Sequence, residues 1–240
     1  TTICGGPNGQ GKTNLLEWLY FLATLNPLRA GKISELIRFG MERSRVSGNF
    51  LIHGAERNIA VDIVAGAKSV WVDGKKAPSL AAYFGGVSVV AFTPDDLSVV
   101  KGSPDGRRQF IDRCVFNRFP AFLDESRSFH RALKNRNKLL KDHAPPAHLQ
   151  AWDITLAQSG ARILMRRRAL MREMVSRARD SFARIGRTPF GVEFSYCPNF
   201  LSFSEFDSAT EDDLRESLAI QLAQRLPRDL ERRFTSVGPQ

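Results

Sequence analysis

The sequence has few cysteines and no long apolar run. Its three cysteines, Cys4, Cys114 and Cys197, are widely spaced and odd in number. They match neither a zinc motif nor a disulfide framework, and we expect buried thiols in a reducing, cytoplasmic compartment. No apolar stretch is long enough to span a bilayer, and Lys12 and Asn14 interrupt the apolar residues near the start, so there is no signal-peptide pattern. This composition argues against membrane proteins and against secreted, disulfide-stabilised ones.

The sequence also lacks an even distribution of charge. Its 240 residues carry 35 lysines and arginines, 25 aspartates and glutamates and a net charge of +10. From Ser103 to Pro189 there are 19 basic and 8 acidic residues, a net of +11, so the remainder has a net of −1. A nearly neutral body with one cationic segment predicts a polyanionic partner, with nucleic acid favoured over a membrane surface.

A phosphate-binding loop lies close to the N-terminus. The stretch GPNGQGKT matches the pattern G-x4-G-K-[S/T], in which glycines let backbone N–H groups face the phosphates of a nucleotide such as ATP. Its lysine would reach the β- and γ-phosphates, and the hydroxyl of Thr13 would bind Mg²⁺. A chance glycine-rich turn is the alternative. The predicted nucleotide-binding residues are Gly6, Pro7, Asn8, Gly9, Gln10, Gly11, Lys12, Thr13 and Asn14.

Both flanks of the loop fit a nucleotide-binding unit. Thr1 to Cys4 predicts a short buried strand before the loop, and a helix with a broad apolar face follows, ended by Pro27 and Gly31. Alternating residues from Val46 to Val90 predict strands, with Asp73-Gly74 as a hairpin turn. The stretch GGVSVVAF, residues 85–92, predicts another buried strand.

The second half of the sequence is mainly helical. Thr93-Pro94 and Ser103-Pro104 are helix-start signals, and a helical pattern then runs to about Ile185 with breaks near Pro120 and Pro145. FGVEFSY, residues 190–196, predicts a strand, and residues 209–234 predict a helix with a kink or break at Pro227. The order predicts an α/β fold: an ATPase domain from 1–102, an inserted basic helical lid from 103–189, and a return to the ATPase domain from 190–240.

Several blocks resemble the RecF family of bacterial recombination ATPases. Asn8-Gly9 and the stretch after Thr13, NLLE, resemble ABC-type ATPases of the SMC and RecF group. The most specific block is VAFTPDDLSVVKGSPDGRRQFIDR, because a generic phosphate-loop protein does not need it. Further blocks in the same order are ELIRFG, LKNRNKLLK, the tryptophan before LAQSGARI, and VGPQ. The resemblance covers nearly the whole chain.

This resemblance implies an ABC-type P-loop ATPase head with a helical lid, in which two protomers enclose ATP and Mg²⁺. It implies a bacterial cytoplasmic protein of DNA replication, repair and the SOS response. It also implies binding to DNA at single-strand gaps and junctions, with RecR and RecO as partners in recombinase loading. ATP would act as a dimerisation switch with slow hydrolysis. Arg29 follows the loop helix as an arginine does in the family, where it would reach the γ-phosphate; the alternative is a plain surface arginine.

Three parts of such a site are missing from the sequence. There is no apolar strand ending in two carboxylates, no signature serine segment and no later switch residue. Asp95 and Asp96 are favoured as helix-start residues, with a role beside the metal as the alternative. Gln240 stands where the family has a histidine, so we expect a fragment trimmed at both ends, with little hydrolysis.

The basic segment predicts the DNA-binding surface. Its helices place arginines on both flanks of an apolar face, and each phosphate contact would steepen the salt dependence of binding. A solvated helix face and a membrane-surface helix are the alternatives. The predicted DNA-binding residues are Arg107, Arg108, Arg131, Lys134, Arg136, Lys138, Arg166, Arg168 and Arg172.

Two other functions remain open from the sequence. A P-loop enzyme, such as a kinase or a nuclease-associated ATPase, could hold another anionic substrate under the basic lid, although its metal-binding and base residues are not visible. An SMC-like scaffold head would need long heptad arms, whereas prolines break the helical stretches.

Overall fold

The computed structural model describes residues 1–29, 31–52, 54–78, 83, 89–186 and 190–239, without the side chains of Asp95 and Ser98. The chain divides into two compact units, Thr1–Asp96 and Leu97–Gln240. Within the described residues, no helix has both the length and the apolar character needed to cross a membrane.

The first unit begins with the phosphate-loop helix, α1, Lys12–Thr24. The helix starts after Gly11 and ends at Leu25, which adopts the left-handed conformation with φ of 55°. Its last turns carry the buried face, with Phe21 and Leu22 in the core. The apolar residues of its first turns, Leu15 among them, are exposed, so the broad apolar face expected from the sequence is buried only at its C-terminal end.

An antiparallel sheet forms the rest of the first unit. Its strands are β1 Arg43–Ile52, β2 Ala55–Val64, β3 Ala67–Val72 and β4 Lys75–Lys76, in that order across the sheet. The predicted hairpin turn is confirmed: Asp73 and Gly74 join β3 to β4 with φ of 50° and 75°. Such values suit a glycine in the second position of a tight hairpin. A short 3₁₀ helix, Ile33–Leu36, precedes the sheet.

The two faces of this sheet differ. One face packs with α1 in a core that includes Ile59, Val61, Ile63 and Val70. Residues of β1 alternate between exposed and half-buried along its whole length, as in a strand with one solvated face. Trp71 lies on the face opposite the core, paired in register with Ala60. We call the face opposite this core, on which Arg45, Asp62 and Trp71 lie, the open face.

Some strand predictions were wrong. Thr1 to Cys4 and residues 190–196 form no strand, although their sequences are β-prone. The predicted strand at 85–92 lies partly outside the described residues, and its described part, Val89 to Phe92, is not a strand. A strand is stabilised by hydrogen bonds to a neighbouring strand, and within the described residues none of these segments pairs with one.

The second unit consists of helices. They are α2 Ser98–Lys101, α3 Pro104–Arg118, α4 Phe122–Lys141, α5 Gln150–Gly186, α6 Phe203–Ser208 and α7 Glu211–Arg232. Two 3₁₀ turns, Pro94–Leu97 in the region of the unit boundary and Pro146–His148, precede α2 and α5. The predicted breaks near Pro120 and Pro145 are confirmed, whereas α7 continues through Pro227.

The C-terminal part of the chain packs on the helices of this unit. Phe206, Leu214 and Leu218 join α4 and α5 in one core. The approach of α7 to α5 is close at Gly160, where an added Cβ would lie 3.0 Å from Leu218 Cδ1. Residues 190–239 therefore share a core with the predicted lid in this structure. Their assignment to the ATPase domain stays a prediction.

Candidate nucleotide and nucleic-acid sites

The loop before α1 has the backbone conformation of a phosphate cradle. Gly6, Gly9 and Gly11 adopt φ of 144°, 84° and 84°, values that residues with a Cβ rarely adopt. Gly11 is the N-cap of α1, so the positive end of the helix dipole faces the loop. The sequence forms this loop because its glycines coincide with the positions that need left-handed backbone.

Lys12 is folded over the loop. Its ammonium Nζ donates hydrogen bonds to the carbonyl oxygens of Gly6 and Pro7, both at 2.6 Å. Both bonds are exposed to solvent, so they are weak constraints on the side chain. The ammonium therefore lies at the mouth of the loop. There a bound anion could replace one of the two carbonyl oxygens as the acceptor of its hydrogen bonds.

A cavity of about 330 Å³ joins the loop to a second cation. It is lined by Asn8, Gly9, Gln10, Gly11, Lys12, Thr13, Asn14 and Arg29. The structure therefore brings Arg29 to the loop, although it lies beyond the end of α1. Backbone N–H groups at a helix start and two cations suit a polyphosphate, so the residues present fit the phosphates of ATP. Two of the predicted nucleotide-binding residues, Gly6 and Pro7, do not line the cavity. Their carbonyl oxygens instead accept hydrogen bonds from Lys12.

The structure offers little for a metal at this cavity. Thr13 supplies a hydroxyl, which suits Mg²⁺ bound jointly with phosphate oxygens. Within the described ranges there is no group of three or more histidine, cysteine, aspartate or glutamate side chains that could hold a metal.

Asp96 acts as a helix-start residue. Its carboxylate accepts hydrogen bonds from the backbone N–H of Thr93 at 2.6 Å and from the Thr93 hydroxyl at 3.0 Å. These two hydrogen bonds, both donated by Thr93, order the turn Pro94–Leu97. The local geometry agrees with the helix-start interpretation of Asp96.

Most predicted DNA-binding arginines of α5, and Arg108 of α3, are paired within the chain. Arg166 lies 3.1 Å from Glu125, and Arg172 lies 2.7 Å from Asp207. Arg108 forms an ion pair with Asp105, and Arg107 donates to the carbonyl of Gly102 at 3.0 Å. The cationic charge of α5 is thus partly neutralised by carboxylates from other helices, which the net charge of the segment did not reveal.

Two of the predicted DNA-binding residues are buried. Arg136 is 0% exposed and bonds to Asp153, Asp229 and Thr235. Arg168 is 8% exposed and donates to the carbonyl of Phe206. The prediction of DNA contact was wrong for both side chains, because a guanidinium enclosed by the core cannot reach a phosphate.

Five exposed cations form a row along α4. We call Arg127, Arg131, Lys134, Lys138 and Lys141 the cationic row. At 100° per residue these five positions fall within an arc of about 80° and span about 21 Å. Arg127 lies 3.7 Å from Asp124, whereas the other four have no ion-pair partner among the described residues. The row is one basic surface of the second unit that remains available to an anion.

The comparisons with known proteins agree on one family. No protein-family model matches the chain. It is 61% identical over 240 residues to the DNA replication and repair protein RecF of Myxococcus xanthus, which covers 99% of this chain and 63% of the relative. The protein of the same name from Anaeromyxobacter sp. (strain Fw109-5) is 45% identical over 239 residues, which is 99% of this chain and 64% of the relative. The chain belongs to the RecF family.

Solved structures of the family share the fold of this RecF-family chain. The recombination mediator protein RecF-ATP of the RecFOR pathway matches with a TM-score of 0.89 at 28% identity, over 100% of this chain and 66% of that chain. RecF-ATPrS of the same pathway matches with a TM-score of 0.89 at 29% identity, over 98% of this chain and 63% of that chain. The fold class is therefore that of the RecF ATPase. The chain spans about 63% of the length of the curated relatives that it matches.

Two residues of the cationic row, Arg127 and Lys141, are absent from the predicted DNA-binding set. Arg127 begins the row one turn before Arg131, and Lys141 ends it. The 3.6-residue period of the basic positions in α4 is the signal that would have found them. What the sequence could not show is that Arg136, in the same helix, points inward.

Proposed function

We propose that this chain is the nucleotide-binding and DNA-binding part of an ATP-binding protein of bacterial recombination and repair. The observation that carries the proposal is the cavity in which the phosphate loop and Arg29 meet. The names of the curated relatives and the ATP-bound solved relatives support it. Lys12 and Arg29 bind the phosphates in this proposal, the loop N–H groups orient them, and Thr13 ligates Mg²⁺.

The cationic row is the proposed DNA-binding surface. Four of its five cations have no protein partner among the described residues, so binding phosphates would cost no ion pair there. Each neutralised phosphate releases counterions, which gives a salt slope of about −0.9 per contact on duplex DNA. Contacts from the row to phosphates do not depend on the base sequence, so the row predicts affinity for DNA in general. Preference for gaps or junctions would come from elsewhere in the protein.

The remaining parts of the function concern the longer protein. We propose that ATP switches dimerisation of two such heads in the cytoplasm, and that RecR- and RecO-type mediators assist recombinase loading. The RecFOR pathway of the solved relatives supports these partners. No carboxylate lines the cavity of this chain among the described residues, and in this proposal the rest of the longer protein and the second head supply the groups that complete the nucleotide site.

The test is fluorescence anisotropy of a labelled gapped duplex, titrated with the chain across a salt series, with and without Mg-ATP. We expect tight binding at low salt and a steep negative slope, and each of Arg131→Ala and Lys138→Ala should reduce that slope by about 0.9. Arg172→Ala is the matched control, since that arginine already pairs with Asp207. An ATP effect on binding should disappear in Lys12→Ala.

Two outcomes would contradict the proposal. Absence of DNA binding even at low salt would remove the DNA-binding role of this chain. A slope reduced as much by Arg172→Ala as by Arg131→Ala would assign the contacts to α5 rather than to the cationic row.

A further inference from the structure

The open face of the sheet in the first unit carries a groove. A cavity of about 570 Å³ lies there, lined among others by Arg43, Arg45, Asp62, Ser69 and Trp71. The register explains this grouping, because Arg45 pairs with Asp62 and Asp62 pairs with Ser69 across three strands. The groove is separate from the phosphate-loop cavity, which these residues do not line.

Trp71 is unusual for its position. Its neighbours in β3, Val70 and Val72, pack in or against the core, whereas Trp71 lies on the open face. Its indole Nε1 is buried and has no acceptor among the described residues. Burial of a polar group without a partner is unfavourable, so core packing does not account for an indole there. The partly buried ring is an aromatic wall of the groove.

The two arginines of the groove are available to bind an anion. Arg43 is exposed and has no ion pair or hydrogen bond among the described residues, and the side chain of Arg45 is 59% exposed. Its contact with Asp62 is 3.3 Å long, a surface pair of the kind that contributes little. Arg43 and Arg45 lie on one face about 6.8 Å apart along the strand, so both can contact one stretch of a sugar–phosphate backbone.

We propose that this face binds single-stranded DNA, with a base stacked on Trp71 and phosphates held by Arg43 and Arg45. The inference rests on the proposed DNA-binding function and adds a second surface to it. An aromatic ring beside a cationic strand is the combination that holds unpaired bases without reading their sequence. A duplex would leave the ring unused, since paired bases are already stacked. The two surfaces would then suit the two parts of a gapped substrate.

The experiment measures binding of the full chain to a labelled oligo(dT) by anisotropy across a salt series. Trp71→Ala should weaken binding about tenfold, and Trp71→Phe should restore most of it, because stacking needs an aromatic face. Arg43→Ala should reduce the salt slope by about 0.7, the value for one contact on a single strand. Arg57→Ala is the control, since Arg57 projects from the other side of the sheet and pairs with Asp73.

The outcomes separate this inference from the proposed function. Unchanged oligo(dT) binding in both Trp71→Ala and Arg43→Ala, with gapped-duplex binding still sensitive to Arg131→Ala, would overturn the inference alone. If Trp71→Ala lost as much affinity for fully duplex DNA as for single-stranded DNA, the inference would also be overturned. So would polyglutamate that binds more tightly than oligo(dT) and loses its binding in Arg43→Ala. Circular dichroism checks that Trp71→Ala is folded. Arg43 is exposed and has no partner in the described part of the chain, so its variant tests the face if Trp71→Ala unfolds. Loss of all DNA binding by the wild-type chain would sink both proposals.

Discussion

Arg136 Nη1 donates a hydrogen bond to Asp229 Oδ2 at 2.8 Å, and both side chains are completely buried. The Nε of the same guanidinium bonds to Asp153 Oδ1 at 2.6 Å. The other oxygen of Asp229 accepts from the backbone N–H of Ser236 at 3.0 Å and from its hydroxyl at 2.6 Å. One buried cation in α4 thus ties together α5, α7 and the segment that follows α7.

Replacing Arg136 by methionine should destabilise the helical unit. The substitution leaves the Asp229 carboxylate buried without its cation, and removal of one partner of a buried pair costs about 3–5 kcal/mol. Urea unfolding followed by helical circular dichroism measures this loss. Arg131→Met, in the same helix but exposed, should change the free energy of unfolding by less than about 0.5 kcal/mol.

The same pair of variants distinguishes stability from DNA contact. Under conditions where both are folded, Arg136→Met should keep the wild-type salt slope for DNA, whereas Arg131→Met should reduce it. A reduced slope in folded Arg136→Met would show that the guanidinium reaches DNA after all.

Mg-ATP should bind to the chain but should not be turned over above background. The described lining of the loop cavity offers Lys12 and Arg29 to phosphates and no carboxylate to polarise water. Titration with a fluorescent ATP analogue measures binding, and phosphate release measures turnover. Robust hydrolysis that disappears in Lys12→Ala would contradict the expectation and favour a P-loop enzyme.

Arg29→Ala should weaken ATP binding about tenfold. A charged hydrogen bond to phosphate contributes about 1.5–3 kcal/mol to binding. Because this cavity is open to solvent, water weakens the bond, so we expect a value near the lower end. Calorimetric titration of the variant measures the change. Arg57→Ala, a cation of the same unit that does not line the cavity, should bind ATP as the wild type does. Equal affinities for wild type and Arg29→Ala would make Arg29 a plain surface residue.

The start of α7 should be sensitive to acid. Hydrogen bonds from the backbone N–H and hydroxyl of Thr210 hold the pKa of Asp213 below its ordinary value of 3.8. Because the folded pKa is the lower one, the stabilisation is present above 3.8 and is lost as the pH falls through the folded pKa. Carboxyl chemical shifts in an NMR titration measure it.

Thr210→Ala provides the check on this mechanism. It removes the hydroxyl bond and keeps the backbone one, so the pKa of Asp213 should rise part of the way towards its ordinary value. The pKa of Glu205, lowered by Ser202 at the start of α6, should stay low in the same variant. An unchanged pKa of Asp213 would show that the hydroxyl contributes nothing.

The local features of this chain were predictable because their causes are local. The loop conformation follows from Gly6, Gly9 and Gly11, and the hairpin follows from Asp73-Gly74, each within a few residues. The strand at Thr1 to Cys4 was predicted wrongly, because β-propensity describes a residue's fit to a sheet and not the presence of a partner strand.

The sequence by itself determined the phosphate loop, the helical second unit and an excess of cations within it. Only the tertiary structure decided which cations are free. Arg136 and Arg131 stand in one helix, yet the carboxylates that enclose Arg136 come from 17 and 93 residues further along the chain. A net charge summed from the sequence does not distinguish a buried, paired arginine from an exposed one. Ion pairing depends on distances between charges, and those distances are set by folding.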